Sequence, residues 1–391
     1  MPAPTKIALY SGLIVEGDAI SGSLRAKLSA LRKARAEGLP VDTVAFCQHA
    51  NVDDPAIQTV PGGVPDLVTR PAFRAASLHV FEFGIYYQLF NVAHLLPPDK
   101  MAAVYHNITP RELIVDPTVH AAIDRSMVQK HLLERMSMVI CDSEFSRHEL
   151  IEFGIPAPRL SVVPLPGSFP ISSSPGRGSR TPSEPVRFLF VGRLVRAKGV
   201  LDLLTAARRL VDSGETGFTV VLAGRTAGSD AVATESIARA LGDPTMVPII
   251  RFMPDVASDD IAAFFDEADV FLMPSYHEGY CIPIVEALGA GCPVIGYDNT
   301  NIPFVSGGLA DLVPTGDVEA LARAMKRAIN GLQTARSLGT PFMVTTAGGS
   351  LPEQEWREAA LDRVRSLRHD HDEGFVNVVR QLLQAASVST V

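Results

Sequence analysis

The sequence predicts an α/β protein made of two doubly wound domains, each with a parallel sheet covered by helices on both faces. Three observations support this prediction. The chain has 391 residues, which suits two domains of about 150 to 200 residues better than one core. Strand-like runs alternate with helical patterns along most of the chain. These runs are apolar throughout, as expected for strands buried on both faces.

The sharpest change in composition lies at residues 167–185, GSFPISSSPGRGSRTPSEP. Gly, Ser, Pro and Thr dominate this stretch and no apolar periodicity passes through it, which is typical of a linker. The predicted organisation is therefore an N-terminal domain at 1–166, a linker at 167–185, a second domain at 186–345 and C-terminal helices at 346–391.

Each predicted domain contains several short β-rich runs. Before the linker they are KIALYSGLI, VDTVAFC, SLHVFEFG, MAAVYH, MVICDS and LSVVPL. After it they are VRFLFVGR, FTVVLAG, VPIIRFM, VFLMPS and PVIGYD. Helices are predicted between them where apolar residues recur at helical spacing: Leu24, Leu28 and Leu31 in the first domain, and Leu204, Ala207 and Val211 in the second.

Helical patterns also follow residue 345. Ser350-Leu351-Pro352-Glu353 has the form of a capping box, which predicts a helix start. A second apolar helix is predicted near Phe375 to Leu383, and we expect these helices to pack back toward the N-terminal domain. The first helix is supported by apolar residues at helical spacing: Trp356, Ala360, Val364 and Leu367.

Composition narrows the class of protein. No run of about 20 apolar residues is present, and the N-terminus does not resemble a signal peptide, so we expect a cytoplasmic protein. Basic and acidic residues balance up to about residue 183, so the formal charge of −8 belongs to the second half and nucleic acid is not an expected partner. The cysteines lack metal-ligand spacing and are read as reduced thiols: Cys47, Cys141, Cys281 and Cys292.

A candidate anion site follows the first predicted strand of the second domain. That strand ends at Gly192 and Arg193, and Lys198-Gly199 opens the next helix. Two cations and a helix N-terminus at the carboxyl edge of a sheet favour a bound anion. The spacing does not fit the P-loop pattern, which favours a diphosphate over a cradled triphosphate. Alternatively, Arg193 and Lys198 are solvated loop charges.

A second candidate site lies in EGYCIPIVE, where Glu278 and Glu286 flank a predicted helix start. Pro283 suits the first turn of that helix, and the free N–H groups at 281–283 would attract a diphosphate. The two carboxylates would accept hydrogen bonds from sugar hydroxyls, so the expected ligand is a nucleoside diphosphate sugar. Alternatively, the helix dipole alone favours Glu286 at this position.

These motifs resemble the donor site of retaining GT-B glycosyltransferases, specifically glycosyltransferase family 4. The resemblance rests on VGRLVRAKG and on the Glu-x7-Glu spacing, and it covers most of the chain. GDAISGSL at 17–24, VYHNITP at 104–110 and CDSEFSRHEL at 141–150 are similar to segments of bacterial members. It implies two Rossmann-like domains with a cleft between them, retention of anomeric configuration, and no metal or other cofactor.

The resemblance also implies roles for individual residues. Arg193 and Lys198 would hold the diphosphate, Glu278 the transferred sugar, and His106 would face that sugar from the N-terminal domain. Glu286 would bind the ribose. The remaining donor contacts would come from Gly192, Phe252, Met253, Gly279, Tyr280, Cys281 and Ile282. Gly17 and Asp18 would line the cleft near the acceptor.

The function implied is transfer of a hexose from a GDP- or UDP-linked donor to a glycan or lipid-linked acceptor, in polysaccharide biosynthesis. Mannose is slightly favoured. A sugar-nucleotide epimerase and a non-catalytic sugar-nucleotide-binding protein are the alternatives. The chain departs from the family pattern at three places: Phe304 replaces an acid, FEFG at 81–84 lacks a histidine, and VVPLPGSF lacks an asparagine-glycine turn.

Three other features of the sequence allow a different interpretation. Asp370-His371-Asp372 fits a DxD metal motif, but a solvated turn between helices is favoured. Gly289-Ala290-Gly291 follows a helix instead of preceding one, which predicts a helix cap and not a dinucleotide fingerprint. A basic helix would allow peripheral contact with anionic lipid at the inner face of the membrane, although a solvated face is favoured; its cations are Arg25, Lys27, Arg32, Lys33 and Arg35.

Overall fold

The computed structural model describes residues 4–165, 180–226, 230–254, 256 and 260–388. The chain divides into two compact units, one drawn from 1–111, 117–166 and 367–391 and the other from 112–116 and 167–366. Residues 167–179 of the predicted linker lie outside the described residues, so the linker and its boundaries stay predictions.

The first unit is built on a parallel sheet with seven described strands in the order β5-β3-β1-β6-β7-β8-β9. Two further short strands, β2 and β4, pair in parallel with each other and form a separate sheet. All six predicted runs contain a strand of this sheet, and the short β5 was not predicted. The strands are β1 Thr5–Tyr10, β2 Leu13–Ile14, β3 Val41–Cys47, β4 His49–Ala50, β5 Ile57–Thr59, β6 Ala76–Phe83, β7 Met101–Tyr105, β8 Met138–Cys141 and β9 Leu160–Val162.

Helices cover this sheet. They are α1 Ala19–Ala36, α2 Gly63–Leu67, α3 Pro71–Arg74, α4 Pro117–Gln129 and α5 Glu144–Glu152. Asp18 caps α1, because its carboxylate accepts a hydrogen bond from the Ser21 N–H at 2.8 Å. The predicted apolar stripe of α1, represented by Leu28, is buried against the strands.

The basic face of α1 is largely paired. Lys27 is buried and contacts Glu82. Arg32 forms an ion pair with Asp54, as Arg35 does with Asp42. The prediction of a solvated face is wrong for Lys27, whose partner lies inside the unit, whereas the other four cations are exposed: Arg25, Arg32, Lys33 and Arg35. Contact of this helix with lipid stays a prediction.

The second unit is built on a parallel sheet with six described strands in the order β12-β11-β10-β13-β14-β15, and on an antiparallel hairpin of β16 and β17. The predicted runs are confirmed as strands. They contain β10 Val186–Val191, β11 Phe218–Ala223, β12 Ile250–Met253, β13 Val270–Met273 and β14 Val294–Tyr297. Three strands were not predicted: β15 Asp311–Val313, β16 Met343–Thr346 and β17 Gly349–Pro352. The helices are α6 Val200–Asp212, α7 Ala231–Gly242, α8 Ile261–Glu267, α9 Ile282–Gly289, α10 Ile302–Ser306 and α11 Val318–Leu338.

The C-terminal region differs from the prediction in two respects. Ser350 belongs to β17 and pairs with Thr345, so the predicted capping box does not form and the last helix, α12, starts at Glu353. This helix runs without a break to Val388, where two helices were predicted. No proline interrupts the stretch, and a lone glycine costs a helix only about 1 kcal/mol.

The middle of α12 contains the Asp370-His371-Asp372 stretch, so the predicted solvated turn is wrong. His371 is buried, and its Nδ1 lies 2.8 Å from the carbonyl oxygen of Pro164. Gly374 lies against Val163, where a Cβ would approach within 3.0 Å of that side chain. Further along, Phe375 and Val379 join the core that includes Leu28. The end of α12 thus packs on the first unit, as predicted.

Candidate active site

The second unit brings its candidate site residues to the carboxyl ends of β10 and β13, two neighbouring central strands. The chain leaves β10 through β11 and β12 on one side and returns to β13 on the other. Ligands of open α/β sheets bind at such a reversal of strand order. Gly192 and Arg193 follow β10, and the loop carrying Glu278 follows β13. The two predicted donor-binding segments therefore meet at one point of the sheet.

Lys198 and Glu278 contact each other directly. The ammonium of Lys198 lies 2.6 Å from Oε1 of Glu278, and both side chains are largely buried. The two loops approach each other closely at Gly199, which has a left-handed φ of 72°. The approach requires glycine, because a Cβ there would lie 1.8 Å from the carbonyl oxygen of Pro274. Sequence patterns indicated both residues as ligand-binding groups but did not indicate that they pair with each other.

Arg193 is the exposed cation of this site. Its side chain forms no hydrogen bond or ion pair within the described ranges. Arg196 differs, because Asp230 accepts from its backbone N–H at 2.7 Å and from its Nε at 3.1 Å. Asp230 is buried and also caps α7, so it anchors the turn Arg196–Lys198 to the fold. Asp230 was not predicted as a site residue, because its only signal in the sequence is its position before a helical pattern.

The predicted helix start after Glu278 is confirmed. Cys281 precedes α9 with a left-handed φ of 72°, an uncommon conformation for a residue other than glycine. Pro283 has no N–H, so the prediction of free donors at 281–283 is corrected to the N–H groups of Cys281 and Ile282. Burial raises the pKa of the Cys281 thiol well above its usual value, which makes it a poor nucleophile.

A polar segment after β14 braces the Glu278 loop. The N–H of Glu278 donates to Oγ1 of Thr300 at 3.1 Å, and Nδ2 of Asn301 donates to the carbonyl of Tyr280 at 2.7 Å. Asn299 bonds the carbonyl of Ser275 at 2.9 Å. Sequence reasoning missed these residues, although Asn and Thr directly after a strand are typical of turns that bond nearby backbone.

Glu286 lies in the second turn of α9. Burial raises the pKa of its carboxyl from 4.5 to about 7, and no hydrogen bond links its side chain to any residue that the structure describes. A partly buried carboxyl without a partner is a candidate binding group. Gly289 ends the helix and Gly291 follows with a φ of 62°, which confirms the predicted glycine cap.

Phe252 and Met253 end β12, the edge strand beyond β11. Met253 is 41% exposed and its carbonyl accepts from the N–H of Gly224 at 3.0 Å. These two residues thus belong to the same carboxyl edge as Arg193, two strands away along the sheet. Their predicted contact with the base stays a prediction.

The remaining predicted residues belong to the first unit. His106 follows β7 directly, and its side chain is 4% exposed, with Nε2 2.5 Å from Oε2 of Glu82. Gly17 is exposed with a left-handed φ of 75°, and Asp18 uses its carboxylate to cap α1. Gly84 lies beside His106, because a Cβ there would come within 3.0 Å of the histidine Cβ.

Comparison with known proteins connects this site to a family. A family model described as "Glycosyl transferases group 1" matches residues 185–331. We call residues 185–331 the group 1 domain, after the family that they resemble. Every candidate residue of the second unit, from Gly192 to Glu286, lies within this domain.

Curated relatives extend the similarity beyond the group 1 domain. The chain is 25% identical over 291 residues to O-antigen chain mannosyltransferase B of Escherichia coli, covering 69% of this chain and 72% of that protein. It is 30% identical over 216 residues to amylovoran biosynthesis glycosyltransferase AmsK of Erwinia amylovora. That alignment covers 51% of this chain and 49% of AmsK.

Solved structures share the fold. Sucrose-phosphate synthase from Thermosynechococcus elongatus matches with a TM-score of 0.70 and 20% identity, over 97% of this chain and 100% of that one. The predicted α/β class with two Rossmann-like sheets of the GT-B type is thereby confirmed.

Two features are absent from the described residues. They contain no group of three or more His, Cys, Asp or Glu side chains placed to hold a metal ion. They also contain no helix that is both long and apolar enough to span a membrane. The four cysteines all lie within the described ranges, where they are buried and form no disulfide: Cys47, Cys141, Cys281 and Cys292.

Proposed function

We propose that this protein is a retaining, metal-independent glycosyltransferase that moves a hexose from a GDP- or UDP-linked donor to a glycan or lipid-linked acceptor. The observation that carries the proposal is the meeting of Arg193, Lys198 and the start of α9 at the strand-order reversal of the group 1 domain. Mannose is the favoured sugar, because a relative that covers most of the chain is a mannosyltransferase. A lipid-linked acceptor would bring the enzyme to the inner face of the membrane.

The chemistry follows from where charge develops. Breaking the bond between the anomeric carbon and phosphate leaves an oxocarbenium-like sugar and increases the negative charge on the diphosphate. Arg193 and Lys198 would stabilise that charge, and the N–H groups of Cys281 and Ile282 would add two preplaced donors. In a front-face substitution the departing phosphate oxygen takes the acceptor's proton, so no side chain need act as nucleophile.

The carboxylates would select the two hydroxyl-rich ends of the donor. Glu278 lies beside Lys198, so a sugar hydroxyl bound there would be close to the leaving phosphate. Glu286 lies in the second turn of α9 and would accept from the ribose. In this proposal His106 of the first unit contacts the transferred sugar, and Gly17 and Asp18 lie toward the acceptor.

The proposal is tested by product analysis with the full chain. GDP-mannose, GDP-glucose, UDP-glucose and UDP-galactose are incubated with and without lipid-linked and oligosaccharide acceptors. We expect nucleoside diphosphate release that increases with acceptor, unchanged activity in EDTA, and a product with the donor's anomeric configuration by NMR. Isomerised donor without transfer would show an epimerase, and binding without any product would show a non-catalytic protein. Inverted configuration or a strict requirement for a divalent cation would contradict the mechanism.

A further inference from the structure

Four ionisable side chains are buried together at the carboxyl edge of the first unit's sheet, outside the group 1 domain. Lys27 comes from α1, Glu82 from β6, His106 directly follows β7 and Asp142 directly follows β8. Their side chains are 4% exposed or less. We call these four residues the His106 cluster. Burying charge is costly unless each group is paired, so the arrangement requires an explanation.

Glu82 is at the centre of the His106 cluster. The ammonium of Lys27 lies 3.1 Å from its Oε1 and 3.3 Å from its Oε2, and Nε2 of His106 lies 2.5 Å from Oε2. Burial alone would raise the pKa of Glu82, but the charge of Lys27 and the hydrogen bond with His106 outweigh it and lower that pKa below its ordinary value. The contact with the Lys27 ammonium and this lowered pKa both favour the ionised carboxylate.

An ionised carboxylate can only accept hydrogen bonds, so Nε2 of His106 must carry a hydrogen, and this N–H donates a hydrogen bond to Glu82. In the neutral imidazole, Nδ1 is then an acceptor. Nδ1 is buried and has no hydrogen-bond partner among the described residues. Oδ2 of Asp142 lies 3.9 Å from Nδ1, beyond hydrogen-bond distance, while Oδ1 of Asp142 accepts from Ser146 Oγ at 2.7 Å. Burial raises the pKa of Asp142.

Among the described residues, the ionisable groups that face this ring within 4 Å are Glu82 and Asp142. Gly84 lies between Ile20 of α1 and His106. A Cβ on Gly84 would lie 2.9 Å from Cδ1 of Ile20 and 3.0 Å from Cβ of His106. The ring is thus held at Nε2 by Glu82, and Gly84 lies close to the Cβ of His106. Only its Nδ1 lacks a partner in the described structure.

We propose that Glu82, with Lys27 as its counter-ion, is a positioning residue that keeps His106 protonated on Nε2 and leaves Nδ1 to accept a hydrogen bond from a sugar hydroxyl. Glu82 itself does not touch the substrate. The kinetic consequence rests on the proposed glycosyltransferase function, whereas the protonation state of the ring does not.

The primary test is ¹⁵N NMR of the histidine rings in the full chain, at a pH where the His106 ring is neutral. The signals of His106 are assigned by their loss in His106→Asn. We expect the Nε2–H tautomer in the wild type. A ring protonated on Nδ1 alone would overturn the inference.

The second test removes the carboxylate without leaving a buried charge, in the double variant Lys27→Met/Glu82→Gln. A glutamine amide can donate as well as accept, so we expect a mixture of tautomers and a fall in kcat of up to about 10²-fold at similar donor KM. Glu82→Asp keeps the carboxylate and should retain the tautomer and recover part of kcat, even if the double variant is too unstable to purify. The matched control is Arg32→Met/Asp54→Asn, which removes another ion pair of α1 and should change neither readout.

The outcomes separate the two proposals. If the wild type transfers sugar and the double variant keeps both the wild-type tautomer and kcat, the positioning role is wrong while the proposed function stands. If the wild type transfers no sugar, the proposed function fails, and the NMR result still decides whether Glu82 sets the tautomer of His106.

Discussion

Individual residues at the sheet edge of the second unit differ in how strongly the fold holds them. Lys198 and Glu278 pair with each other, whereas Arg193 and Glu286 have no side-chain partner in the described part of the chain. A residue that contributes little to folding can be replaced without unfolding the protein. Arg193 is therefore the best position for separating function from stability.

Arg193→Ala should lower turnover by roughly 10²-fold or more, because a preplaced cation stabilises the leaving diphosphate. The melting temperature should stay unchanged, since the exposed guanidinium has no partner to lose. Steady-state transfer assays and thermal denaturation check the two expectations. The matched control is Arg323→Ala, which removes an exposed cation of α11 and should leave both values as in the wild type. Normal turnover in Arg193→Ala would remove its assigned role.

Glu286 should make stability depend on pH. Because burial raises its pKa from 4.5 to about 7, the folded protein keeps a proton that the unfolded chain has released over this range. The free energy of unfolding should therefore fall by roughly 2–3 kcal/mol as pH rises from about 4.5 to 7, and then level off. Urea denaturation at a series of pH values measures this. Glu286→Gln should lack that component, and equal pH slopes for the two proteins would refute the assignment.

Among the structural elements, the loop between β10 and α6 depends on a tight contact with the loop after β13. Gly199 combines a left-handed φ with the absence of room for a side chain, and it lies next to Lys198. The contact places Lys198 against Glu278. The turn is also anchored by Arg196 on buried Asp230. Packing between loops, and not loop sequence alone, determines the geometry of the anion site.

Gly199→Ala should destabilise the protein by well over 1 kcal/mol, because the new Cβ would clash with the carbonyl of Pro274. Gly339→Ala is the matched control: Gly339 has a similar φ of 63° but nothing within 4 Å of the added Cβ. It should cost about 1 kcal/mol, the conformational penalty alone. Urea denaturation compares the two variants. An equal loss in both would show that the contact with Pro274 can relax.

At the scale of the whole molecule, the net charge of the chain opposes binding of the proposed ligand. The chain carries a formal charge of −8, located in its second half, yet the proposed ligand of that half is an anion. Long-range attraction therefore does not explain binding, since solvent screens exposed charges beyond about 8–10 Å. Recognition must come from short-range groups: Arg193, Lys198 and the N–H groups at the start of α9.

Nucleotide binding should raise the melting temperature of the full chain. We expect GDP or UDP to stabilise it more than ADP, with GDP favoured, by about 2.7 kcal/mol at a concentration of about 100 Kd. Differential scanning fluorimetry measures the shift. Inorganic pyrophosphate separates diphosphate recognition from base recognition, and Arg193→Ala should reduce the shift for every ligand. No shift with any of the nucleotides would contradict a donor site in the second unit.

Patterns local to the chain were enough to predict both parallel sheets, the start of α9 at Ile282 and the glycine cap after Gly289. These features depend on periodicity, proline and glycine within a few neighbouring residues, and those effects act whatever the rest of the chain does. The same kind of reasoning failed at Ser350, because strand pairing in the hairpin with β16 outweighed a capping signal, and at His371, because burial kept α12 continuous.

Contacts between distant segments could be known only from the folded chain. Lys198 meets Glu278 across 80 positions, and Lys27 meets Glu82 across 55. Neither pairing leaves a periodic trace in the sequence, because it arises where two loops or a helix and a strand happen to pack. The residue types at the site could thus be predicted from the sequence. Their partners, their burial and the tautomer inferred for His106 depend on tertiary packing.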